Sequence, residues 1–267
     1  MPTKTHGGPV PLQPTAQQAQ VARLLPEGAT LAAKRRNSHD HLVRSIFERP
    51  ENAGPLLAFL LSGYRGTSMS RLDFSRATSF RLSMKNSEAG RRLPDLVFLV
   101  PVAGTDEYVL VHVEHQSRFF LNMAERMLEY FSAFAWSWAL TRKGEPRPRL
   151  IQILLCHDTR DHQPWAGSAR IVEGNGPVTG RGRWPGAHRS EFLVRDLEVI
   201  SAGTLRDSPL LTPAPRAALA LLKLAPAGRR GAAGGLPEWV FDQVREADSA
   251  DPGQSEDVLL LAQLRYD

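Results

Sequence analysis

The sequence predicts an α/β protein: a central β-sheet covered by helices on both faces, followed by a helical C-terminal region. Three observations lead there. Two apolar runs, Pro94 to Val102 and the Val-rich Glu107 to Gln116, flank the turn-forming tetrad Ala103-Gly104-Thr105-Asp106, which reads as a β-hairpin. Both faces of each run are largely apolar, so these strands belong in the middle of a sheet. Met123, Met127, Tyr130, Phe131, Phe134 and Trp138 then recur at three- and four-residue steps, the period of a long helix from about Phe119 to Thr141.

The 267 residues suit one domain of generous size, or one domain with tails. With 42% hydrophobic and 23% charged residues, the chain can bury a sizeable core. Its formal charge of +5 is compatible with nucleic acid or another anionic partner. Cys156 is the single cysteine, which excludes an intrachain disulfide and suits a reducing compartment. It ends the apolar run from Leu150 and reads as a buried thiol. There is no apolar stretch long enough for a transmembrane helix and no basic-then-apolar leader pattern, so a cytoplasmic location without membrane attachment is expected.

Residues 1–37 are rich in Pro, Gly and Gln and are expected to form a disordered tail, with a short helix at Gln17 to Leu25 at most, ending in the basic cluster Lys34-Arg35-Arg36. Ser38 offers an N-cap to a helix carrying Leu42, Val43, Ile46 and Phe47. Pro50 interrupts, and Leu56 to Leu61 suggest a second helix, ended by Gly63 and Gly66. A strand is expected near Phe80 to Met84. On the long helix, Arg118, Asn122, Glu125, Arg126 and Glu129 largely occupy the faces away from the aromatic stripe. Arg149 to Cys156 is a further buried strand, Asp158 to about Ser190 a long loop, and Glu191 to Val199 a last strand. Helices at Ala217 to Leu224, Trp239 to Arg245 and Val258 to Leu264 complete the chain, two of them joined by the Gly-rich 225–235. The organisation read from this is a tail at 1–37, a domain at 38–200 and a helical region at 201–267.

The chemistry concentrates in the hairpin. Side chains alternate along a strand, so Glu114 and Gln116 share a face and His115 takes the other. With a four-residue turn, Val102 pairs with Glu107, and counting back along both strands sets Asp95 opposite Glu114. Opposed residues have Cβ atoms about 4.5–5.5 Å apart. Two buried carboxylates at that distance are costly unless one is protonated or a cation sits with them. A divalent metal with oxygen ligands, Mg²⁺ or Mn²⁺, answers that need and can hold a phosphate oxygen and acidify a bound water. Gln116 can hydrogen-bond that water or the phosphate, and Arg91 and Arg92 can hold a phosphodiester backbone. The other reading stays open on spacing alone: Asp95 caps a strand start and Glu114 pairs with an arginine.

The segments Leu93-Pro94-Asp95-Leu96-Val97-Phe98 and Val113-Glu114-His115-Gln116-Ser117 resemble the PD-(D/E)XK nuclease superfamily. With His39-Asp40 and Phe47 opening a helix, the long helix through Met127 and Tyr130, and the buried strand before His157 and Trp165, the chain resembles the Rpn family, recombination-promoting nucleases also described as PDDEXK family transposases. The likeness covers about residues 38–200. It implies a restriction-endonuclease-like core with a mixed central β-sheet, and Mg²⁺-dependent endonucleolytic cleavage of DNA. It implies Asp95 and Glu114 as metal ligands, Gln116 where the superfamily usually has Lys, and Asp40 as a third acidic group near the site. A link to recombination or mobile elements is implied in the same way. Gln116 is neutral and cannot offset growing negative charge as Lys does, which makes slow cleavage plausible.

A second class is a non-catalytic DNA- or partner-binding module on a degenerate nuclease fold. A third, an HD-type phosphohydrolase, is raised by His39-Asp40 and His157-Asp158, but that chemistry sits on helices and His157 follows a strand-like run. The stretch Gly174 to Gly186, with Arg181 and Arg183, lacks the strand-to-helix setting of a phosphate loop and reads as surface loop. His112 and His115 read as core or supporting groups rather than ligands. A homodimer would suit double-strand cleavage, although no interface pattern is visible.

Overall fold

The computed structural model describes residues 39–64, 69–80, 96–116, 123–157, 192–229 and 236–266, without the side chains of 39–42, 124–125, 225–229 and 263–266. Helix α1 (His39–Phe47) buries Val43, Ile46 and Phe47, one helical face. Helix α2 (Pro50–Leu60) starts earlier than its apolar pattern suggests. The break expected at Pro50 lies just before it, at 48–49, and Pro50 opens the second helix, at the position where its missing N–H costs nothing. The buried Asn52 fastens this corner. Its Nδ2 donates to the Ile46 carbonyl at 2.9 Å and to Gln254 Oε1 at 3.0 Å, and its Oδ1 accepts from Thr212 at 3.1 Å.

Strand β1 (Thr78–Ser79) lies just before the expected strand, and residues 81–84 fall outside the described residues. Phe80 still packs its ring 6.1 Å from that of Trp138. Strands β2 (Leu96–Pro101) and β3 (Tyr108–Gln116) form the expected hairpin. Val102 N donates to Glu107 O at 2.9 Å, Gly104 takes φ +77°, and the register runs from Pro101↔Tyr108 to Leu96↔Val113. Helix α3 (Met123–Thr141) crosses back to strand β4 (Arg149–Cys156), which pairs in parallel with β3; β5 (Phe192–Asp196) pairs in parallel with β4. Among the described residues the result is a five-stranded mixed sheet in the order β1-β2-β3-β4-β5.

Each face of the sheet has its own cover. On one, Val97, Leu110, Leu154 and Cys156 meet Met123, Met127, Tyr130, Phe134 and Trp138 of α3. On the other, Phe98, Val111, Val113, Ile153 and Leu193 join a larger core with α1, α2 and the C-terminal helices. This double cover is why β3 is apolar on both faces. The C-terminal helices are α4 (Ala202–Asp207), α5 (Pro213–Arg229), α6 (Glu238–Ala250) and α7 (Pro252–Tyr266). The short α4 has no apolar period to announce it; Ser201 caps it, its Oγ accepting from Thr204 N at 2.9 Å. Among the described residues no helix is long and apolar enough to cross a membrane.

Candidate functional site

Alternation along β3 turns His112, Glu114 and Gln116 toward α3, and Val111, Val113 and His115 toward the other core. Glu114 is 0% exposed. Helix spacing sets Arg126 and Tyr130, four residues apart, on the side of α3 that meets it. Three groups converge on Glu114 Oε1: Arg126 Nη2 at 2.5 Å, Gln116 Nε2 at 2.9 Å and the Tyr130 hydroxyl at 3.3 Å. Arg126 Nε also donates to the Tyr130 oxygen at 3.1 Å, and its guanidinium stands 5.7 Å from the Tyr130 ring centre. A carboxylate without water needs such partners, and the charge-assisted bond from Arg126 is the strongest of them.

The second oxygen is different. Glu114 Oε2 is buried and has no hydrogen-bond partner among the described residues; the His112 Nε2 beside it is 3.5 Å away, beyond a good hydrogen bond. The surrounding contacts define the state of His112. Gln152 Nε2 donates to the Met127 carbonyl at 2.8 Å, which identifies it as the amide nitrogen, and it also lies 3.3 Å from His112 Nδ1. His112 Nδ1 is therefore the acceptor, and the ring proton is on Nε2, facing Glu114. Burial lowers the His112 pKa, and Arg126 adds to this, against the opposing pull of Glu114. The imidazole packs edge-on to Tyr130, with ring centres 4.9 Å apart.

Of the residues singled out in the sequence, Glu114 and Gln116 are brought together and hydrogen-bonded. Asp95, Arg91 and Arg92 lie outside the described residues. Asp40 lies in the first turn of α1, and its side chain is not among those described. Arg126 departs from expectation: it does not point away from the sheet but bends onto Glu114. It stands one helical turn before Tyr130, at the flank of the apolar stripe, and its long side chain carries the guanidinium to Glu114. A cation therefore already stands at Glu114, and it belongs to the protein. Among the described residues no three His, Cys, Asp or Glu side chains gather to hold a metal. Glu114 Oε2 does offer one buried oxygen donor of the kind Mg²⁺ and Mn²⁺ prefer.

Other buried polar groups lie at the same end of the sheet. On the opposite face His115 stacks on His157, with ring centres 4.7 Å apart and Nε2 3.0 Å from Nδ1. Arg195 donates to the carbonyls of Leu60 and Ser62, tying β5 to the end of α2. Cys156 is buried as expected, and burial, helped by Asp196, pushes its thiol up to about 12.

Residues 37–212 match the family described as "Putative transposase, YhgA-like". Over 72 residues the chain is 33% identical to "Recombination-promoting nuclease RpnD" of Escherichia coli O157:H7. That stretch is 27% of this chain and spans only 28% of that relative's length. No solved structure matches.

Proposed function

The chain belongs to the YhgA-like transposase family, which takes in the Rpn-type proteins it resembles, and from that premise we propose that it is a metal-dependent DNA endonuclease. One observation carries the reading: Glu114 is wholly buried in the middle of a sheet, and its Oε2 has no hydrogen-bond partner among the described residues, His112 Nε2 standing 3.5 Å away. A buried acid with a spare oxygen is costly to a fold and useful to a cation.

In this reading Asp95 and Glu114 are the metal ligands. Asp95 directly precedes Leu96, and one further step of the hairpin register beyond Leu96↔Val113 would set it opposite Glu114. Asp40 would be the third acidic group. Bound Mg²⁺, or Mn²⁺, would hold a phosphate oxygen and lower the pKa of a water. Gln116 holds Glu114 in place with its amide nitrogen and leaves its carbonyl oxygen to orient a water. Gln116 carries no charge, but Arg126, on the same Glu114 oxygen, brings a guanidinium that can offset negative charge developing on a phosphate. Arg91 and Arg92 would contact the DNA backbone. A role in recombination or mobile-element biology is part of the proposal, as the name of the RpnD relative suggests.

A specific observation also favours the second reading, a non-catalytic DNA- or partner-binding module. The Arg126–Glu114 pair is closed without any metal and can serve the fold alone. Two experiments separate the readings. Purified protein is incubated with plasmid DNA and Mg²⁺, wild type beside Glu114→Ala; cleavage by the wild type alone is expected, and cleavage that survives the substitution would show the site to be misassigned. Mg²⁺ or Mn²⁺ is then titrated into wild type and Asp95→Ala; equal binding by both would remove Asp95 from the metal site.

A further inference from the structure

We infer that the outer face of α3 is a homodimer interface, with the helix packed antiparallel against its copy about a twofold axis at Trp136. The inner face of α3 is spent on the sheet. Its outer face carries apolar side chains that stay uncovered among the described residues: Trp136 is 68% exposed and Leu140, one turn on, 54%. From Tyr130 to Thr141 no charged residue interrupts it. A helix that keeps an indole in water without lysine or glutamate around it is unusual for a surface that stays bare.

The charges at the two ends of this face identify the occupant. Glu129 lies seven residues before Trp136 and Lys143 seven after it. Seven residues are close to two turns, so Glu129 and Trp136 fall on one line along the helix, and Lys143 lies in the turn two residues beyond its last residue, Thr141. Glu129 and Lys143 are both exposed, and neither has an ion-pair partner among the described residues. About a twofold axis through Trp136, each Glu129 meets the Lys143 of the other copy, and the two indoles meet at the centre. Ala133 and Ala139 flank Trp136, and small side chains there let two helices approach closely around the rings. A self-complementary strip with opposite charges at its two ends is what an isologous contact requires. Nucleic acid would need cations along this face, and it has none between Glu129 and Arg142. The inference is independent of any nuclease activity.

Sedimentation equilibrium of the full-length protein, from low micromolar to several hundred micromolar, tests it. The wild type is expected to associate as a dimer. Trp136→Glu should weaken the dimer by about thirtyfold or more, as for an interface anchor. Glu129→Lys alone, at an exposed site that leaves the fold intact, should weaken it by about three- to tenfold through two like-charge contacts. Adding Lys143→Glu should restore wild-type association. A monomer across the whole range overturns the inference, and means that another segment of this chain or a different partner covers the face. A dimer indifferent to Trp136→Glu overturns it as well, and a charge swap that fails to restore association overturns the antiparallel register.

Discussion

Arg126 on α3 and Glu114 on β3 form a buried ion pair, Nη2 to Oε1 2.5 Å, that joins the crossover helix to the central strand. The Arg126 side chain is only 19% exposed and Glu114 is not exposed at all, so solvent screens the pair little. Breaking one side of such a pair leaves the other buried and uncompensated. Arg126→Met is expected to lower stability by about 3–5 kcal/mol. The double variant Arg126→Met with Glu114→Gln should lose much less than the sum of the two single changes. Urea unfolding of the four proteins measures this; additive losses would show that the two groups are not energetically coupled.

The same substitution probes the cation proposal. If Glu114 holds a divalent ion, removing the resident guanidinium leaves that ion as the main compensating charge. Added Mn²⁺ should then raise the Tm of Arg126→Met by more than it raises that of the wild type, and should not raise that of Glu114→Ala. Calorimetry with and without Mn²⁺ reads this out. An identical response in all three proteins would place the ion elsewhere.

Cys156 supplies a dependence on alkaline pH. Its thiol titrates near 9.0 when unperturbed and is pushed up to about 12 in the folded protein, chiefly by burial. Below pH 9.0 both states hold the proton and stability is unaffected. Above it the unfolded chain releases the proton and the folded one does not, so stability falls as pH rises toward about 12, by up to about 1.4 kcal/mol per pH unit. Denaturant midpoints measured on both sides of pH 9.0 should fall more steeply for the wild type than for Cys156→Ala. Equal slopes would mean that the folded thiol ionises normally.

Gly54 is fixed by a close approach. A Cβ there would lie 2.3 Å from the backbone oxygen of Phe74, in the short 3₁₀ turn Phe74–Arg76 packed on α2. Replacing a helical Gly by Ala ordinarily stabilises by about 1 kcal/mol. Here Gly54→Ala should destabilise by about 1–3 kcal/mol or more, because a backbone carbonyl must move. A thermal melt decides the sign.

The elements most legible in the sequence are those set by local geometry. The four-residue turn at Ala103 to Asp106 and the period of two fixed the hairpin register, and the structure has Leu96 opposite Val113 as that register requires. The three- and four-residue recurrence from Met123 to Trp138 marked the helix stripe that meets the sheet. Helix starts were less legible. The apolar patterns suggested beginnings at Leu56, Ala217 and Val258, whereas the helices begin at Pro50, Pro213 and Pro252. An apolar period starts where a helix reaches the core, and a proline in the first turn starts the helix before that point.

The amino-acid order by itself determined that Glu114 and Gln116 share a face of a buried strand, because side-chain alternation is a property of the extended backbone. Only the tertiary structure decided what surrounds them. Arg126 and Tyr130 meet Glu114 because α3 crosses β3 at one place and angle, which depends on packing between segments distant in sequence. Long-range packing of that kind leaves no local periodicity, so the sequence offered an arginine partner for Glu114 only as an open alternative, and its identity, Arg126, came with the helix laid on the sheet.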